Sequence, residues 1–338
     1  LMAWLMQALA RNDAGYLLYT VSSHGIALLI MLPATVCAGM TLPLITLRLL
    51  RAGAGERAIG SVYAANTAGA IAGVLFTVHV GLPLLGVKQT LLAGAVLDAL
   101  LGIALLIGAR GVPWRLAATA SAAALLATAL LVELDPHRLA SGVFRYGRAA
   151  LHPDNEVLYH RDGKTATVSL VRMPGDLVSI MTNGKPDASI VTGDTGAIAP
   201  DEPTMVLAGA LPLALRPGAR TAANIGMGSG LTTATLLASD RLERVDTIEI
   251  EPAMVEAAQG FRPRTERVWT DPRSRIHIED ARSFFGLQGE RYDIIVSVPS
   301  NPWVSGVASL FSREFYRRVR QYLAEDGVLV QWLQLYEI

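Results

Sequence analysis

The chain divides into three stretches that differ in the spacing of their apolar residues. Four long windows, 25–50, 62–85, 89–109 and 114–134, are almost continuously apolar. A hydrocarbon core about 30 Å thick is crossed by a helix of about 20 such residues. Because the four windows follow one another, the pattern predicts a transmembrane helical domain over residues 1–150 and not a buried helix of a soluble protein.

The second stretch has the alternation of a β-sheet. The segments "TATVSLVR" and "LVSIMT" place apolar residues at every other position, and Asn183-Gly184 follows them. An Asn-Gly pair is a strong signal for a two-residue turn between antiparallel strands. Residues 151–200 are therefore predicted to form a small β-hairpin module.

The third stretch alternates between short apolar strands and amphipathic helices. The predicted strands are "TAANI", "RVDTIEI", "RIHIE", "DIIVSV" and "VLVQWLQL", with a helical pattern between each pair. Such alternation is typical of a parallel, doubly wound sheet. Residues 201–338 are thus predicted to be an α/β Rossmann-like domain, and the fold class is multi-domain, with transmembrane helices preceding the hairpin module and this domain.

Composition agrees with a membrane component. The 338 residues are 51% hydrophobic and only 17% charged, with a mean hydropathy of +0.38, which is unusual for a soluble protein. Only 15 of the 58 charged side chains lie before residue 151. The net charge of zero argues against nucleic-acid binding by phosphate neutralisation. The single cysteine, Cys37, excludes a disulfide framework or a cysteine-based zinc site, and no metal is expected.

The strongest chemical signal is the glycine-rich segment "NIGMGSGLTTATLL". Gly226, Gly228 and Gly230 follow a strand and open a helix, so the backbone can turn tightly and approach a nucleotide. Glu249 ends the next strand, where a carboxylate can accept both ribose hydroxyls, and Asp280 ends the third, placed to receive an adenine amine. The spacing differs from the dinucleotide fingerprint, and no phosphate-holding lysine follows. The pattern therefore favours an S-adenosyl sulfonium ligand over NAD or ATP.

Together these segments resemble a known family. From about Val157 to Ile338 the chain resembles the polyamine aminopropyltransferases, the spermidine synthases, in "NGKPDAS", "GMGSG", "IEIEP", "IEDARSFF", "DIIVSVPSNPW" and "DGVLVQWLQL". With "LPATVCAGMTLPL" and "SVYAANTAGA" in its apolar half, the whole chain resembles the membrane-embedded branch of that family. The resemblance implies a seven-stranded methyltransferase-like sheet, so that the domain is expected to be truncated at its C-terminus.

The resemblance assigns site residues. It places Gly226, Gly228, Gly230, Glu249 and Asp280 in the cofactor site, and it places Asp187 over the sulfonium nucleoside. Ser300, Asn301 and Trp303 fall in the loop that holds the amine substrate.

The same resemblance exposes departures from the family pattern. Val298 stands where the family has its general base, and Asn301 where it has an acid for the diamine. Ser229 replaces an acid of the glycine turn. A cluster usually found before that turn is represented by residues with little catalytic capacity: Thr204, Met205 and Ala210. Asp201 and Glu202 lie beside this cluster, and either could substitute for the missing base, but both are expected to be solvated at the surface. No residue is therefore assigned a catalytic role.

The absence of a general base has a free-energy cost that follows from the pKa of the amine. An amine with the pKa of a lysine is only about 0.04% neutral at pH 7. Without a base, roughly 4 to 5 kcal/mol must come from elsewhere, at about 1.4 kcal/mol per pH unit. Positioning of the reactants can supply part of it.

Three functions fit these patterns. The first is a spermidine synthase-like transferase that moves an aminopropyl group from decarboxylated S-adenosylmethionine to a diamine in polyamine biosynthesis. The second is a membrane module that binds the S-adenosyl nucleoside without catalysis, which accounts for Val298. The third is a methyltransferase that uses intact S-adenosylmethionine. The expected partners are a small diamine and the lipid bilayer; soluble relatives suggest a homodimer, and a cytosolic ligand implies an integral membrane protein with a cytoplasmic α/β domain.

Overall fold

A computed structural model describes residues 2–10, 12–107, 113–194, 196–302 and 306–334. Its contacts divide the chain into two compact units. One comprises Leu1–Leu134 with Ser141–Ala150, and the other comprises Asp135–Ala140 with Leu151–Ile338. We call them the helical unit and the α/β unit.

The helices are, in chain order, α1 (Met2–Ala8), α2 (Asp13–Arg51), α3 (Arg57–Phe76), α4 (Gly86–Ile107), α5 (Trp114–Leu131), α6 (Pro136–Leu139), α7 (Val143–Tyr146), α8 (Glu202–Leu215), α9 (Leu231–Leu237), α10 (Pro252–Ala258), α11 (Arg267–Thr270), α12 (Ala281–Gln288) and α13 (Arg313–Val319). The strands are β1 (Glu156–Asp162), β2 (Thr167–Met173), β3 (Leu177–Thr182), β4 (Lys185–Val191), β5 (Thr221–Ile225), β6 (Arg244–Glu249), β7 (Ser274–Ile278), β8 (Tyr292–Ser297) and β9 (Leu323–Gln331).

Three helical stretches in the described part of the helical unit are long and apolar enough, by length and composition, to cross a membrane. They are Asp13–Arg51, Arg57–Ile107 and Trp114–Leu131. The first begins earlier than the window 25–50, because the Asn12 side chain caps the helix by accepting from Gly15 N–H (2.8 Å). The helix therefore extends through polar residues that a search for apolar runs leaves out.

The windows 62–85 and 89–109 fall on one helical stretch that is interrupted between them; the last two residues of the second window lie outside the described residues. A π-helical segment, Thr77–Leu85, leads to Gly86, whose φ of 76° and ψ of 172° are not helical. A Cβ placed on Gly81 would lie 2.9 Å from the Thr90 side chain. The chain therefore turns at Gly86, where the sequence pattern separates the two windows.

Residues 156–191 form a four-stranded antiparallel sheet with the order β1-β2-β3-β4. The turn between β3 and β4 is the Asn183-Gly184 pair, and both residues have positive φ, 51° and 76°. This is the backbone conformation for which Asn-Gly is favoured in a two-residue hairpin turn. The sheet contains three hairpins, so it is larger than a single hairpin.

The second sheet of the α/β unit is parallel, with the strand order β7-β6-β5-β8-β9. This confirms the predicted Rossmann-type α/β fold and the N-terminal helical region. The order reverses between β5 and β8. In an open α/β sheet the crevice at the carboxyl ends of such strands is where ligands bind.

Apolar packing fixes the antiparallel sheet on the helix that follows β6. Side chains of β2, β3 and β4 share a buried cluster with α10. The Glu251 carboxylate, 3% exposed, accepts from Thr165 N–H (2.7 Å) and Thr165 Oγ1 (2.8 Å) and so holds the turn between β1 and β2. Tyr159 Oη donates to Glu256 Oε2 on the same helix (2.9 Å). These contacts place β4 above the glycine-rich segment.

Candidate functional site

Three segments of the α/β unit meet at the glycine turn. Gly226, Gly228 and Gly230 have φ of 90°, 52° and 83°, which non-glycine residues seldom adopt. A Cβ on Gly226 would lie 2.8 Å from the Val298 carbonyl oxygen, and one on Gly228 would lie 3.6 Å from Ala188 Cβ on β4. The turn is therefore bounded by the loop after β8 and by β4.

Glu249 lies at the end of β6 with its carboxylate against the turn. Met227 N–H donates to Oε2 (2.9 Å), and Glu251 N–H donates to Oε1 (3.0 Å). Burial raises the pKa of Glu249, and these backbone donors act in the opposite direction. The structure thus brings Glu249 and the three glycines together, while their contact with a ligand stays a prediction.

Asp280 lies at the same edge of the sheet, because β6 and β7 end beside each other with Glu249 paired to Ile278. Its Oδ1 caps α12 by accepting from Arg282 N–H and Ser283 N–H, both at 3.1 Å. Part of this carboxylate is therefore used to start a helix. Sequence analysis missed that role, although an Asp directly before a helix is a usual N-cap.

Asp187 and Ser300, both predicted for the site, are in contact. Ser300 Oγ donates to Asp187 Oδ1 (2.9 Å), and Lys185 Nζ forms an ion pair with the same carboxylate and a hydrogen bond to Ser300 Oγ (3.1 Å). The Asp187 side chain is only 12% exposed. Lys185 was missed by sequence analysis. Two-residue alternation does not predict this contact, because Met181 pairs with Pro186 and Ile180 with Ala188, which leaves Asp187 as the extra residue of a β-bulge.

The loop after β8 provides no acid or base between Ser297 and Pro302. Val298 packs on the apolar cluster between the parallel sheet and α8. Asn301 is fully buried, and neither its Oδ1 nor its Nδ2 has a hydrogen-bond partner among the described residues. Trp303, the third residue predicted for this loop, lies outside the described residues.

Two positions that depart from the family pattern contact each other. Ser229 is 1% exposed, and its hydroxyl donates to Met205 Sδ (3.1 Å). Thr232 Oγ1 donates to the Met205 carbonyl (3.1 Å). The glycine turn and α8 are thus joined here by a pair that carries no charge.

The expectation that Glu202 is solvated at the surface is wrong. It is 3% exposed, accepts from Val191 N–H and Ala199 N–H, and pairs with Arg264 (2.7 Å). Burial alone would raise the pKa of Glu202, but these hydrogen bonds and the Arg264 charge outweigh it and hold the pKa below its ordinary value. Glu202 is therefore an anchor for the start of α8. The sequence gives no local sign of it, since Arg264 lies 62 residues away.

The arrangement is that of a Rossmann-type α/β domain in which the glycine turn, Glu249 and the loop after β8 meet at the strand-order reversal. Residues 206–335 match the family model described as the spermine/spermidine synthase domain. The match covers the parallel sheet and supports that family for this segment. It does not extend to the helical unit.

Curated relatives agree with the family match. The chain is 32% identical over 120 residues to polyamine aminopropyltransferases of Clostridium perfringens and Alkaliphilus oremlandii, which is 36% of this chain and 42% of each relative. The chain thus spans less than half the length of these relatives. The crystal structure of spermidine synthase from Thermotoga maritima is 22% identical, with a TM-score of 0.45 over 52% of this chain and 56% of that one. At low identity, the family match and the two curated relatives support a polyamine aminopropyltransferase type of domain.

Proposed function

We propose that the α/β unit binds an S-adenosyl nucleoside at the glycine turn and is an aminopropyltransferase. The observation that carries the proposal is the placement of Glu249 against the turn, at the reversal of strand order, in a segment that matches the spermine/spermidine synthase domain. The proposed donor is decarboxylated S-adenosylmethionine, and the proposed acceptor is a diamine.

The proposed reaction is a single displacement. The lone pair of a neutral amine attacks the carbon beside the sulfonium, a C–N bond forms, and the C–S bond breaks. Its electron pair goes to sulfur, so that neutral 5′-methylthioadenosine leaves, and the new ammonium releases a proton to water. Val298 cannot accept that proton, so the crevice contributes mainly by holding the two reactants together.

The competing candidate is a module that binds the nucleoside without turnover. It is favoured by the apolar packing of Val298 and by the contact between Ser229 and Met205, because both fill positions of acids or polar groups in the family pattern. The two candidates share the nucleoside site and differ only in what happens on the amine side.

Turnover of decarboxylated S-adenosylmethionine and a diamine by the full chain in detergent separates them. General bases contribute about 10² to 10⁴ in rate, so Val298→Asp is expected to raise product formation about a hundredfold. Val298→Asn has similar volume without the charge and is expected to leave the rate near that of the wild type. In the wild type the rate is expected to rise with pH, because the neutral amine fraction rises about tenfold per pH unit below the amine pKa.

The outcomes are distinct. Absence of product from the wild type and from Val298→Asp, with 5′-methylthioadenosine still bound, would establish the binding module. Failure to bind 5′-methylthioadenosine at all would refute the nucleoside site itself.

We further propose that the apolar helices anchor the chain in a bilayer with the α/β unit in the cytoplasm, where the sulfonium nucleoside is present. The support is the length and composition of the three helical stretches. Protease access to the α/β unit in sealed vesicles of known orientation tests this placement; cleavage from the outer face of the cell membrane would contradict it. The expected homodimer is likewise a proposal, to be measured by the mass of the protein in detergent.

A further inference from the structure

A lysine on β4 lies beside the loop that follows β8. Lys185 Nζ contacts Asp187 and Ser300, and its side chain is 20% exposed. An ammonium has three N–H donors. Two are directed to these partners, which leaves a third for another acceptor.

The strand order of the parallel sheet indicates where the tail of a bound nucleoside would lie relative to Lys185. Glu249 and Asp280 follow β6 and β7, on one side of the reversal, while Ser300 follows β8, on the other. A nucleoside held by the β6 side therefore extends its remaining chain across β5 toward the loop after β8. Ser300, which holds Lys185, is two residues beyond the Val298 carbonyl that abuts Gly226.

The charges of the residues near the loop after β8 bear on which ligand can bind there. Val298, Asn301 and Ser229 are uncharged, and Lys185 neutralises Asp187. Lys185 and Asp187 form a pair without net charge, so no excess negative charge on these residues opposes a ligand carboxylate, and the third N–H of Lys185 can donate to it. An ionised partner makes a hydrogen bond roughly twice as strong as a neutral pair does.

Asn301 lies in the same loop as Ser300 and has unsatisfied polar atoms. Its amide is fully buried without a partner among the described residues, and such a group destabilises a protein unless a ligand or water satisfies it. An amide has both an acceptor and donors, so it is a candidate second contact for a polar ligand tail.

We propose that Lys185 is a specificity-determining residue that binds a carboxylate on the ligand. The crevice therefore takes S-adenosylmethionine, with its amino-acid tail intact, at least as tightly as the decarboxylated form. This inference rests on the proposed nucleoside site, and it concerns binding, whichever amine is or is not used.

Calorimetry on the full chain in detergent tests it with three ligands: S-adenosylmethionine, its decarboxylated form, and 5′-methylthioadenosine, which has neither charge nor tail. The wild type is expected to bind S-adenosylmethionine at least as tightly as the decarboxylated form. Lys185→Met is expected to lower the affinity for S-adenosylmethionine about tenfold to a hundredfold, which corresponds to the loss of one charged hydrogen bond. The same substitution is expected to change the affinity for 5′-methylthioadenosine by no more than about twofold, because only the amino-acid tail contacts Lys185.

Two further variants isolate the effect of Lys185. The double variant Lys185→Met with Asp187→Asn removes the lysine without leaving an unpaired carboxylate and is expected to show the same loss of preference. Lys164→Met removes an exposed lysine from the turn between β1 and β2 and is expected to change nothing.

A wild-type preference for the decarboxylated ligand, which requires no variant to measure, would overturn the inference. Equal losses for the charged ligands and 5′-methylthioadenosine in Lys185→Met would also overturn it. Failure of the wild type to bind 5′-methylthioadenosine would instead refute the nucleoside site on which it rests.

Discussion

The two sides of the crevice differ in the groups that form them, which are mainly backbone groups on the β6 side and side chains on the β8 side. On the β6 side, the glycine turn and Glu249 are linked through backbone N–H groups, and each glycine has a φ that other residues seldom adopt. On the β8 side, Val298, Asn301 and Ser300 present side chains from a loop. The first side is determined by main-chain geometry and the second by side-chain identity.

This difference explains how one side can keep the family pattern while the other departs from it. A substitution in the turn must either strain the backbone or move the loop that abuts Gly226. A substitution in the loop changes charge and volume and leaves the strands in place. The α/β unit therefore combines a glycine turn held against Glu249 with a neighbouring loop that carries no acid or base between Ser297 and Pro302.

The largest effect that tests this comparison is expected from Glu249→Ala. If Glu249 accepts both ribose hydroxyls, as proposed, removing the carboxylate deletes two charged hydrogen bonds, each about 1.5 to 3 kcal/mol, and affinity for 5′-methylthioadenosine is expected to fall about a thousandfold. Calorimetry in detergent measures this change. Loss of the acceptor for Met227 N–H adds to the effect by loosening the turn.

Glu243→Ala is the matched control for that variant. Glu243 directly precedes β6 at its other end, is 62% exposed in its side chain, and pairs with Arg220. It is expected to leave affinity unchanged. A loss of less than tenfold in Glu249→Ala would show that the glycine turn binds a nucleoside without this carboxylate, or that the crevice binds something else.

The β6 side was also the side that could be predicted from the sequence. Strand, glycine turn and helix follow one another within a few residues, and Glu249 ends the very next strand, so local pattern and parallel-sheet geometry suffice. The turn at Asn183-Gly184 was predictable for the same reason: the required φ values limit the residues that fit.

The long-range side-chain contacts around the site could not be predicted, because they join distant segments. Ser300 meets Asp187 across 113 residues, and Ser229 meets Met205 across 24. Glu202 looked like a solvated acid because its partner, Arg264, is remote in sequence. A pattern of apolar and polar positions carries no information about which distant polar side chains become buried together.

A smaller effect is expected from Glu202→Gln, which tests whether the start of α8 can loosen while the glycine turn stays in place. The loss of the Arg264 pair is expected to cost about 1 to 3 kcal/mol of local stability at pH 7. Hydrogen exchange of the full chain in detergent should show faster opening of 199–212, with the glycine turn little changed.

The pH dependence of that difference has a defined sign. The pKa of Glu202 is held below its ordinary value, so the stabilisation is fully present above the unfolded pKa of about 4.3 and is lost as the pH falls through the lower folded pKa. The gap between wild type and Glu202→Gln should therefore be largest near pH 7 and close in that acid range. A gap that widens on acidification would show that the ion pair does not stabilise α8.

The smallest effect is expected from Asp280→Asn. This substitution tests whether the residue that caps α12 also accepts a hydrogen bond from the adenine amine. Asn is as good an N-cap as Asp, so α12 should remain intact, but its single carbonyl oxygen cannot both cap the helix and accept from the adenine amine. The wild type is therefore expected to bind 5′-methylthioadenosine about five to ten times more tightly than 5′-methylthioinosine, which lacks that amine, a difference of about one hydrogen bond. Asp280→Asn should abolish this discrimination while leaving the affinity for the inosine ligand unchanged. If both ligands instead weaken equally, Asp280 acts only through the helix it caps, and Glu249 is then the one carboxylate of the pair that contacts the nucleoside.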